Sequence, residues 1–443
     1  MIRLHIFVAA LLAVGLVGAV RADERADLRV LMLTGGEYHD FETLPPTLAR
    51  RLTDRGEMTV RITQDLADLT ADRLADVDVL LFNTCQQAEV PADVRTAVLD
   101  FVRDGRGLVA MHCSLWSFQS WPEWVELTGG FARGHDKYGT FGVTVIDPAE
   151  AVVLGLGNQF QITDEPYIIE KRHPEAQVLA RTSEPRTDPE GRRREQPEPQ
   201  IWTRAFGKGR VVSITFGHDE KSQSDESFLT LLHNAIRWSA RRMPDTPHNE
   251  LTASERKAGF ILLFNGRDLD GWTGDLEHWT VENGELVGRT KSKDDLKHNQ
   301  FLIYKEEFGD FFLKYWVKLR NHNSGVQFRS RVLPGHAVQG YQADIADRWY
   351  GSLYEEKGTR GVLVNGFKDK GEKVVVLDGW NEMTVRAEGR RIRITLNGVT
   401  TVDYEETQPE LQPERGVIAL QLHAGPAMEV RFRDIRIQPL DKK

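Results

Sequence analysis

Histidines recur in the first half of this 443-residue chain where segments that read as buried strands end. His39 lies in TGGEYHD, His112 ends GLVAMH, His218 follows VVSITF, and His135 lies in GGFARGHD. Imidazoles that converge at one end of a sheet can transfer protons or bind a metal ion. They can also be hydrogen-bonded residues of a polar rim, and no HExxH or close Cys/His spacing indicates zinc. We therefore expect a shared cleft, and a divalent metal ion remains an open alternative.

Polar side chains recur at a spacing of two in the second half of the chain. The pairs are Gln327 and Arg329, Gln342 and Asp344, and Gln421 and His423. Because side chains alternate across a strand, each pair should lie on one face. Such faces are solvated in many antiparallel sheets, but three of them favour a ligand-binding surface.

The stretch GYQADIADRWYGSLYEE (340–356) adds aromatic rings to these amides and acids. Rings cover the apolar faces of a sugar, and polar groups bind its hydroxyls or move protons. Tyr341 should face away from Gln342, whereas Glu355 and Glu356 follow Tyr354 at a predicted turn, from which a carboxylate could reach over the polar face.

The first 22 residues resemble a cleavable signal peptide. Arg3 precedes an apolar run, and Val20-Arg21-Ala22 places small residues at −3 and −1. The run is short for a membrane anchor, so we expect a periplasmic or secreted protein that retains no membrane span. Loss of the two arginines would take the formal charge from −9 to −11. This acidic chain, without a long basic run, is not expected to bind nucleic acid.

Two halves with different periodicity must position these residues. From Leu28 to about Ala240, apolar strands alternate with helices such as 43–56 and 91–105, which predicts a parallel sheet covered on both faces. After the linker 243–256, alternating strands turn at Asn283-Gly284 and Asn397-Gly398, which predicts an antiparallel sandwich. We place the domains at 23–242 and 257–440. Cys85 and Cys113 follow strand-like runs and could pair or remain buried thiols.

The first domain resembles the ThuA-like (trehalose utilisation) family. The resemblance rests on LTGGEYHDFE, GRGLVAMHCSLWSF, LTGGFARGH and IWTRAFGKGRVVSITFGHD and covers nearly all of 27–241. It implies a flavodoxin-like α/β fold related to class I glutamine amidotransferases, an association with sugar metabolism, and cleft roles for the four histidines. Amidotransferase activity is not expected, because Cys113 lacks the small neighbours that a nucleophile on a tight turn needs.

The second domain resembles the 3-keto-disaccharide hydrolase family over about 258–438. FILLFNGRDLDGW, NSGVQFRSR, GYQADIAD and GVIALQLHAGPAMEVRFRDIRI carry this resemblance. It implies a concanavalin/laminin-G-like sandwich, or jelly roll, that cleaves glycosides oxidised to a ketone at C3. Relatives read Gly-Tyr-Glu-x-Gln where this chain has Gly-Tyr-Gln-Ala-Asp, so the acid has moved two places along the same face.

A ketone at C3 acidifies the proton on C2, so a base can form an enolate that expels the glycosidic oxygen before water adds. This route needs a base, an acid and a group that stabilises the enolate oxygen. Asp344, Glu355 and His423 are the candidate base and acid, and Arg329 or a divalent metal would polarise the ketone. The candidate substrate-binding residues are Gln327, Arg329, Tyr341, Gln342, Tyr354, Glu356 and Gln421.

The sequence thus predicts an exported, carbohydrate-active protein that cleaves 3-keto-glycosides in its sandwich. Two alternatives remain open: a sandwich that only binds glycans, and catalysis in the ThuA-like cleft.

Overall fold

The structure, a computed structural model, describes residues 27–243 and 248–440; the predicted signal peptide lies outside these residues. No helix within the described ranges is long and apolar enough to cross a membrane. The chain folds as an α/β domain followed by two packed antiparallel sheets, which confirms the predicted fold class.

The first domain alternates strands with short helices. Its strands are β1 Leu28–Gly36, β2 Met58–Thr63, β3 Val79–Cys85, β4 Gly107–Met111, β5 Gly130–His135, β6 Gly139–Val145, β7 Gln159–Asp164, β8 Tyr167–Arg172, β9 Gln177–Thr182, β10 Pro199–Phe206 and β11 Gly209–Ile214. Its helices are α1 Leu44–Asp54, α2 Ala71–Leu74, α3 Ala92–Arg103, α4 Pro122–Thr128, α5 Glu220–Gln223 and α6 Glu226–Ser239.

The main sheet of this domain is mixed. Its order is β2-β1-β3-β4-β11-β10-β9-β6-β7, and the pairings from β2 to β11 are parallel, whereas those from β11 to β7 are antiparallel. Strands β5 and β8 form a separate antiparallel pair. Apolar clusters cover both faces, one with α1 and α6 and the other with α3 and α4. The parallel half therefore forms the doubly covered sheet that the alternation predicts, and its strand ends share one edge.

Local sequence explains where the two predicted helices begin. Proline opens α1, whose Leu44, Leu48 and Leu52 are buried on one face, and Pro91 precedes the first residue of α3. Proline fits these positions because the first amides of a helix have no intrahelical partner. The predicted helices at 43–56 and 91–105 are confirmed to within two residues at either end.

The second domain is built almost entirely of strands. One helix, α7 Ala253–Ala258, precedes them. The strands are β12 Ile261–Leu262, β13 Trp272–Thr273, β14 Trp279–Glu282, β15 Glu285–Thr290, β16 Gln300–Phe308, β17 Phe311–Arg320, β18 Asn323–Val332, β19 Val338–Ala346, β20 Leu353–Glu356, β21 Val362–Val364, β22 Asn381–Glu388, β23 Arg391–Leu396, β24 Val399–Glu405, β25 Gly416–Leu422 and β26 Met428–Pro439.

Two antiparallel sheets enclose the core of this domain. One has the order β14-β15-β26-β17-β22-β23-β24 with β12 beside β26, and the other has the order β13-β16-β25-β18-β19-β20-β21. Tight turns join β14 to β15 and β23 to β24, and Asn283, Gly284, Asn397 and Gly398 all have positive φ there. Both predicted Asn-Gly hairpins are therefore confirmed, because these residues tolerate the left-handed backbone that such turns need.

A buried ion pair joins the two domains. Arg433 of β26 donates to Asp147 of the first domain at 2.5 Å, and its guanidinium lies 4.1 Å from the ring centre of Trp380. The backbone N–H of Trp380 donates to the carbonyl of Ile146 at 2.7 Å. The ion pair of Arg433 with Asp147, the contact of Arg433 with the Trp380 ring and the backbone hydrogen bond of Trp380 therefore all lie in one contact between the domains.

Candidate functional sites

Three of the predicted cleft histidines meet beyond one edge of the first sheet. His39, His112 and His218 follow β1, β4 and β11, which belong to the parallel half. The ring centroid of His39 lies 4.9 Å from those of His112 and His218. The carboxyl ends of parallel strands therefore bring these side chains together, as the sequence predicts.

A left-handed backbone places His112 in this cluster. His112 has φ +48° at the junction between β4 and a single 3₁₀ turn, His112–Leu115. This conformation costs an L-residue about 1–2 kcal/mol, and such strain is concentrated at functional sites. The buried ring is fixed by a hydrogen bond from Nδ1 to the carbonyl of Thr215 at 2.9 Å. Its Nε2 lone pair is consequently directed away from Thr215.

One carboxylate, Glu165, lies beside three of the four histidines. Its Oε2 is 3.2 Å from Nδ1 of His218 and 3.7 Å from Nε2 of His112, and its Oε1 is 3.6 Å from Nε2 of His135. His135 is half exposed and stacks on Tyr167 at the edge of the cluster. His112, His135 and His218 therefore share an acidic partner that the sequence did not reveal.

Asp164 is the last residue of β7, and Glu165 follows it in the short link to β8, in TDEPY. Asp164 is fully buried and accepts a hydrogen bond from the backbone N–H of Gly217 at 2.7 Å, next to His218. The sequence signal for these two residues is a pair of adjacent acids at the junction of two apolar strands. The alternation of strand and helix does not predict their position, because this segment belongs to the antiparallel part of the domain.

The electrostatics of the cluster keep two of the imidazoles neutral. Burial, followed by the neighbouring imidazoles, lowers the pKa of His39 to about 3, and burial lowers the pKa of His112 to about 4. Contact with Glu165 raises the pKa of His218. Burial would raise the pKa of Glu165, but the histidines beside it hold that pKa below its usual value. A neutral imidazole offers a lone pair to a proton or a metal ion.

A pocket of about 350 Å³ opens on this cluster. Tyr38, Trp116 and Tyr167 supply aromatic walls, and Tyr38 is 75 % exposed at the rim. Cys85 and Cys113 line the pocket and form a disulfide, since β3 and β4 are neighbours in the sheet. The open question of whether these cysteines pair is thereby answered in this structure.

A second set of polar residues lies in the sandwich, on the face of its seven-stranded sheet that points away from the core between the two sheets. Gln327, Gln342 and Tyr354 are aligned across β18, β19 and β20. Gln327 Nε2 donates to Gln342 Oε1 at 2.5 Å, and Gln342 Nε2 lies 3.4 Å from Gln421 Oε1 on β25. We call Gln327, Gln342, Asp344, Glu356 and Gln421 the polar belt; all five are buried.

Asp344 is the charged centre of the polar belt. Its Oδ1 accepts a hydrogen bond from Gln342 Nε2 at 2.6 Å. Burial, reinforced by the charge of Glu356, raises the pKa of Asp344 to about 7, although the hydrogen bond from Gln342 opposes the shift. Burial also raises the pKa of Glu356. A carboxyl group that titrates near neutral pH is suited to proton transfer.

Gly325 leaves room for the amide that supports Asp344. It lies opposite Asp344 in the pairing of β18 with β19, and a Cβ here would overlap the side chain of Gln342. Only a glycine lets the Gln342 amide cross the neighbouring strand at this point.

We expect Gly325→Ala to displace Gln342 and to cost about 1–3 kcal/mol of unfolding free energy, as overpacking does elsewhere. Urea unfolding of the purified protein measures this change. Gly139→Ala, in strand β6 of the first domain, is a control for the loss of a strand glycine, because nothing lies within 4 Å of the added methyl group and, as at Gly325, φ is not positive. Equal costs for the two variants would contradict the crowding at Gly325.

Arg329 does not lie on the polar belt, so its predicted pairing with Gln327 on one face is wrong. A bulge between Phe328 and Arg331 shifts the register, and Arg329 has φ +46°. Its guanidinium donates to the carbonyls of Gly309 and Gly389 and forms an ion pair with Asp310 at 2.6 Å. An extra residue in a strand redirects the side chains that follow it, and here it turns Arg329 towards another loop.

The turn predicted at Glu355 and Glu356 is also wrong, because both belong to strand β20. Glu356 consequently faces the polar belt, whereas Glu355 lies opposite Tyr341 on the other face. Arg360 binds Glu355 at 2.7 Å and holds its pKa below the usual value. The Tyr341 hydroxyl donates to Glu406 at 2.7 Å. The structure therefore does not bring Glu355 or Tyr341 to Asp344.

His423 lies one residue beyond β25, at the end of the polar belt. Its Nδ1 is 3.1 Å from Nε2 of His322 and 2.7 Å from the carbonyl of Ala424. Burial lowers its pKa. His423 is held by this local contact, and its predicted role as a base or acid stays a prediction.

Comparison with known families agrees with this two-domain organisation. Residues 29–239 match the family described as Trehalose utilisation (ThuA), and residues 259–438 match the 3-keto-alpha-glucoside-1,2-lyase-like domain. No curated protein matches the chain significantly.

Solved structures resemble one domain or the other. A putative ThuA-like protein from Parabacteroides merdae is 18% identical, with 48% of this chain and 90% of that chain covered and a TM-score of 0.43. A putative glycosyl hydrolase from Parabacteroides distasonis is 23% identical, with 44% and 100% covered and a TM-score of 0.34. The chain thus joins a domain of the ThuA family to a 3-keto-alpha-glucoside-1,2-lyase-like domain, and both families relate it to carbohydrates.

Proposed function

We propose that the sandwich cleaves glycosides that carry a ketone at C3, with Asp344 as the base. The observation that carries this proposal is the buried carboxyl of Asp344, whose pKa burial raises to about 7, at the centre of the polar belt. A base of this strength is half ionised near neutral pH and can accept a carbon-bound proton that a neighbouring ketone has acidified.

The reaction proceeds in two steps. Asp344 removes the proton from C2, the electron pair forms an enolate with the C3 carbonyl, and the bond from C1 to the glycosidic oxygen then breaks. Water adds across the resulting double bond and restores a 3-keto sugar. Glu356 is the acid in this scheme, because burial raises its pKa and favours the protonated form that a leaving oxygen needs.

The amides of the polar belt supply recognition. Gln327, Gln342 and Gln421 lie on three adjacent strands, where they can hydrogen-bond to sugar hydroxyls. Tyr354, half-buried at the edge of the belt, offers a ring face to the apolar side of a sugar. Arg329 and Glu355 have no part in this scheme, because each is held in an ion pair away from the belt.

A comparison of two substrates tests the proposal. Purified protein is incubated with a chromogenic glucoside and with its 3-keto derivative, and release of the aglycone is followed. We expect release from the keto form alone, because only its C2 proton is acidified. Release from both substrates, or from neither, would contradict keto-activated cleavage; binding of the keto sugar without release would favour a glycan-binding sandwich.

Cleavage should depend on pH through Asp344. Because a base acts in its ionised form, kcat/KM should rise as the pH passes through about 7 and reach a plateau above it. The measurement is the initial rate at low substrate between about pH 5 and 9, corrected for spontaneous elimination. A rate that falls through pH 7 would instead make Asp344 the acid.

We also propose that the protein is exported, with cleavage after Ala22. The support is the sequence pattern of residues 1–22, together with the disulfide between Cys85 and Cys113, since disulfides persist in oxidising compartments. N-terminal sequencing of protein recovered from the periplasm or medium should begin at Asp23. Recovery of only the uncleaved chain, from the cytoplasm, would contradict export.

A further inference from the structure

Three buried ring nitrogens in the ThuA domain belong to side chains that lie close together. They are Nδ1 of His39 and Nε2 of His112, which have no hydrogen-bond partner within the described residues, and Nδ1 of His218, which lies 3.2 Å from Glu165 Oε2. Ligand atoms of these three side chains lie within 4.8 Å of one another. A buried polar atom without a partner destabilises the folded protein, so the unpartnered nitrogens of His39 and His112 need an explanation.

A metal ion would satisfy all three nitrogens at once. Imidazole nitrogens bind zinc and similar ions at about 2.0–2.1 Å, which places two ligands of a tetrahedral ion about 3.3 Å apart. Glu165 Oε2 lies 3.2 Å from His218 Nδ1 and 3.7 Å from His112 Nε2, close to this separation. The carboxylate therefore lies beside two of the three nitrogens, where it can offset the charge of a bound ion.

The surrounding residues hold these ligands in orientation. The carbonyl of Thr215 fixes the His112 ring by accepting a hydrogen bond from its Nδ1. This leaves the Nε2 of His112 for the metal ion. The Asp164 carboxylate accepts hydrogen bonds from the backbone N–H of Gly217 and from the hydroxyl of Ser222. These bonds hold the loop that carries His218. Metal-binding histidines commonly depend on outer partners of this kind.

We propose that His39, His112 and His218 bind one divalent transition-metal ion, with Glu165 beside it as a counter-charge and with a coordination position left open towards the pocket. Three imidazoles favour zinc, iron, cobalt or nickel over magnesium and calcium, which prefer oxygen ligands. A second cluster, formed by Asp147, Glu150 and His248, does not qualify, because Asp147 already pairs with Arg433 and His248 with Asp434.

The ligand of this ion is a sugar with a carbonyl next to a hydroxyl. The pocket of about 350 Å³ is of monosaccharide size and is lined by Tyr38, Trp116 and His135. Two adjacent oxygens can chelate an ion that keeps open positions towards a pocket, and aromatic walls suit the apolar face of a sugar ring. This choice of ligand rests on the proposed function of the sandwich; the metal site does not.

Metal content tests the site without any measurement of turnover. The full chain is stripped with a chelator, loaded with Co²⁺, desalted and analysed for cobalt by mass spectrometry. We expect one ion per wild-type chain and a visible absorption band from Co²⁺ bound to imidazoles. His39→Ala and His218→Ala should each weaken binding by more than the roughly 10–100-fold typical of outer-shell changes.

Matched variants separate this result from misfolding and from failure of the proposed function. His135→Ala, at the pocket edge, should keep one ion per chain, and so should Asp344→Asn in the sandwich. Circular dichroism checks that the histidine variants remain folded. Three results would overturn the proposed metal site. They are a wild-type chain that retains no cobalt, a His39→Ala/His218→Ala double variant that still retains one ion, and loss of the ion in His135→Ala.

The sugar is tested on the cobalt-loaded protein with 3-ketoglucose and with glucose. We expect 3-ketoglucose to shift the absorption band and glucose to leave it unchanged, because only the ketone offers the chelating pair. An equal response to the two sugars, or none, would overturn the choice of ligand while the metal site stands.

Discussion

Asp344→Asn should lower kcat for release of the aglycone from a 3-keto-glucoside by about 10²–10⁴-fold, the usual contribution of a general base. Asparagine keeps the shape of the side chain and can still bond to the Gln342 amide, which lies 2.6 Å from Asp344 in the wild type. It cannot accept the C2 proton. Binding of the 3-keto sugar, measured by calorimetry, should therefore change little.

Two further variants make this prediction specific. Glu355→Gln is the matched carboxylate control, because Glu355 lies on the opposite face in an ion pair with Arg360; its kcat should stay within a few-fold of wild type. The exchange Gln342→Glu with Asp344→Gln moves the carboxylate two places along the same face and should recover part of the activity. An unchanged kcat in Asp344→Asn would show that Asp344 of the polar belt is not the base.

Arg329→Ala should lower the free energy of unfolding by about 3 kcal/mol, the lower end of the cost of breaking a buried ion pair. Arg329 is 1% exposed and binds two carbonyl oxygens as well as Asp310. Its removal leaves the carbonyls without this donor and opens a cavity. We choose the lower end because Asp310 is partly exposed to solvent and can be hydrated.

Urea unfolding compares this variant with Arg331→Ala, a matched control on the same strand. Arg331 is exposed and bonds only to Gln339 among the hydrogen bonds described, so its removal should cost less than about 1 kcal/mol. At low denaturant, Arg329→Ala should retain the kcat of wild type in its folded fraction. A lower kcat without a lower free energy of unfolding would instead indicate that Arg329 acts in the reaction, as the group that polarises the ketone.

Much of the fold follows from local sequence. The two Asn-Gly turns, the proline that opens α1 and the alternating strands depend on backbone preferences and side-chain direction over a few residues. The gathering of His39, His112 and His218 also follows, because the ends of parallel strands share one edge. The turns, the helix start and the alternation need no knowledge of which distant segments pair, whereas the histidines meet because β1, β4 and β11 belong to one sheet.

The details of both sites depend on pairing between distant segments. Glu165 reaches the histidines only because β7 and β8 return to the edge where β1, β4 and β11 end. The bulge after Phe328 turns Arg329 away from Gln327, and the pairing of β20 with β19 puts Glu356, not Glu355, on the polar belt.

The sequence by itself therefore determined the two domains, their strand periodicity and the histidines of the cleft. Only the tertiary structure decided that Glu165 joins these histidines, that Cys85 meets Cys113, and that Arg329 is a buried structural residue. The physical reason is that periodicity and turn propensity act between near neighbours in the chain. Strand order and register, in contrast, are fixed by packing over the whole sheet, where one extra residue in a bulge changes the side chains that face each other.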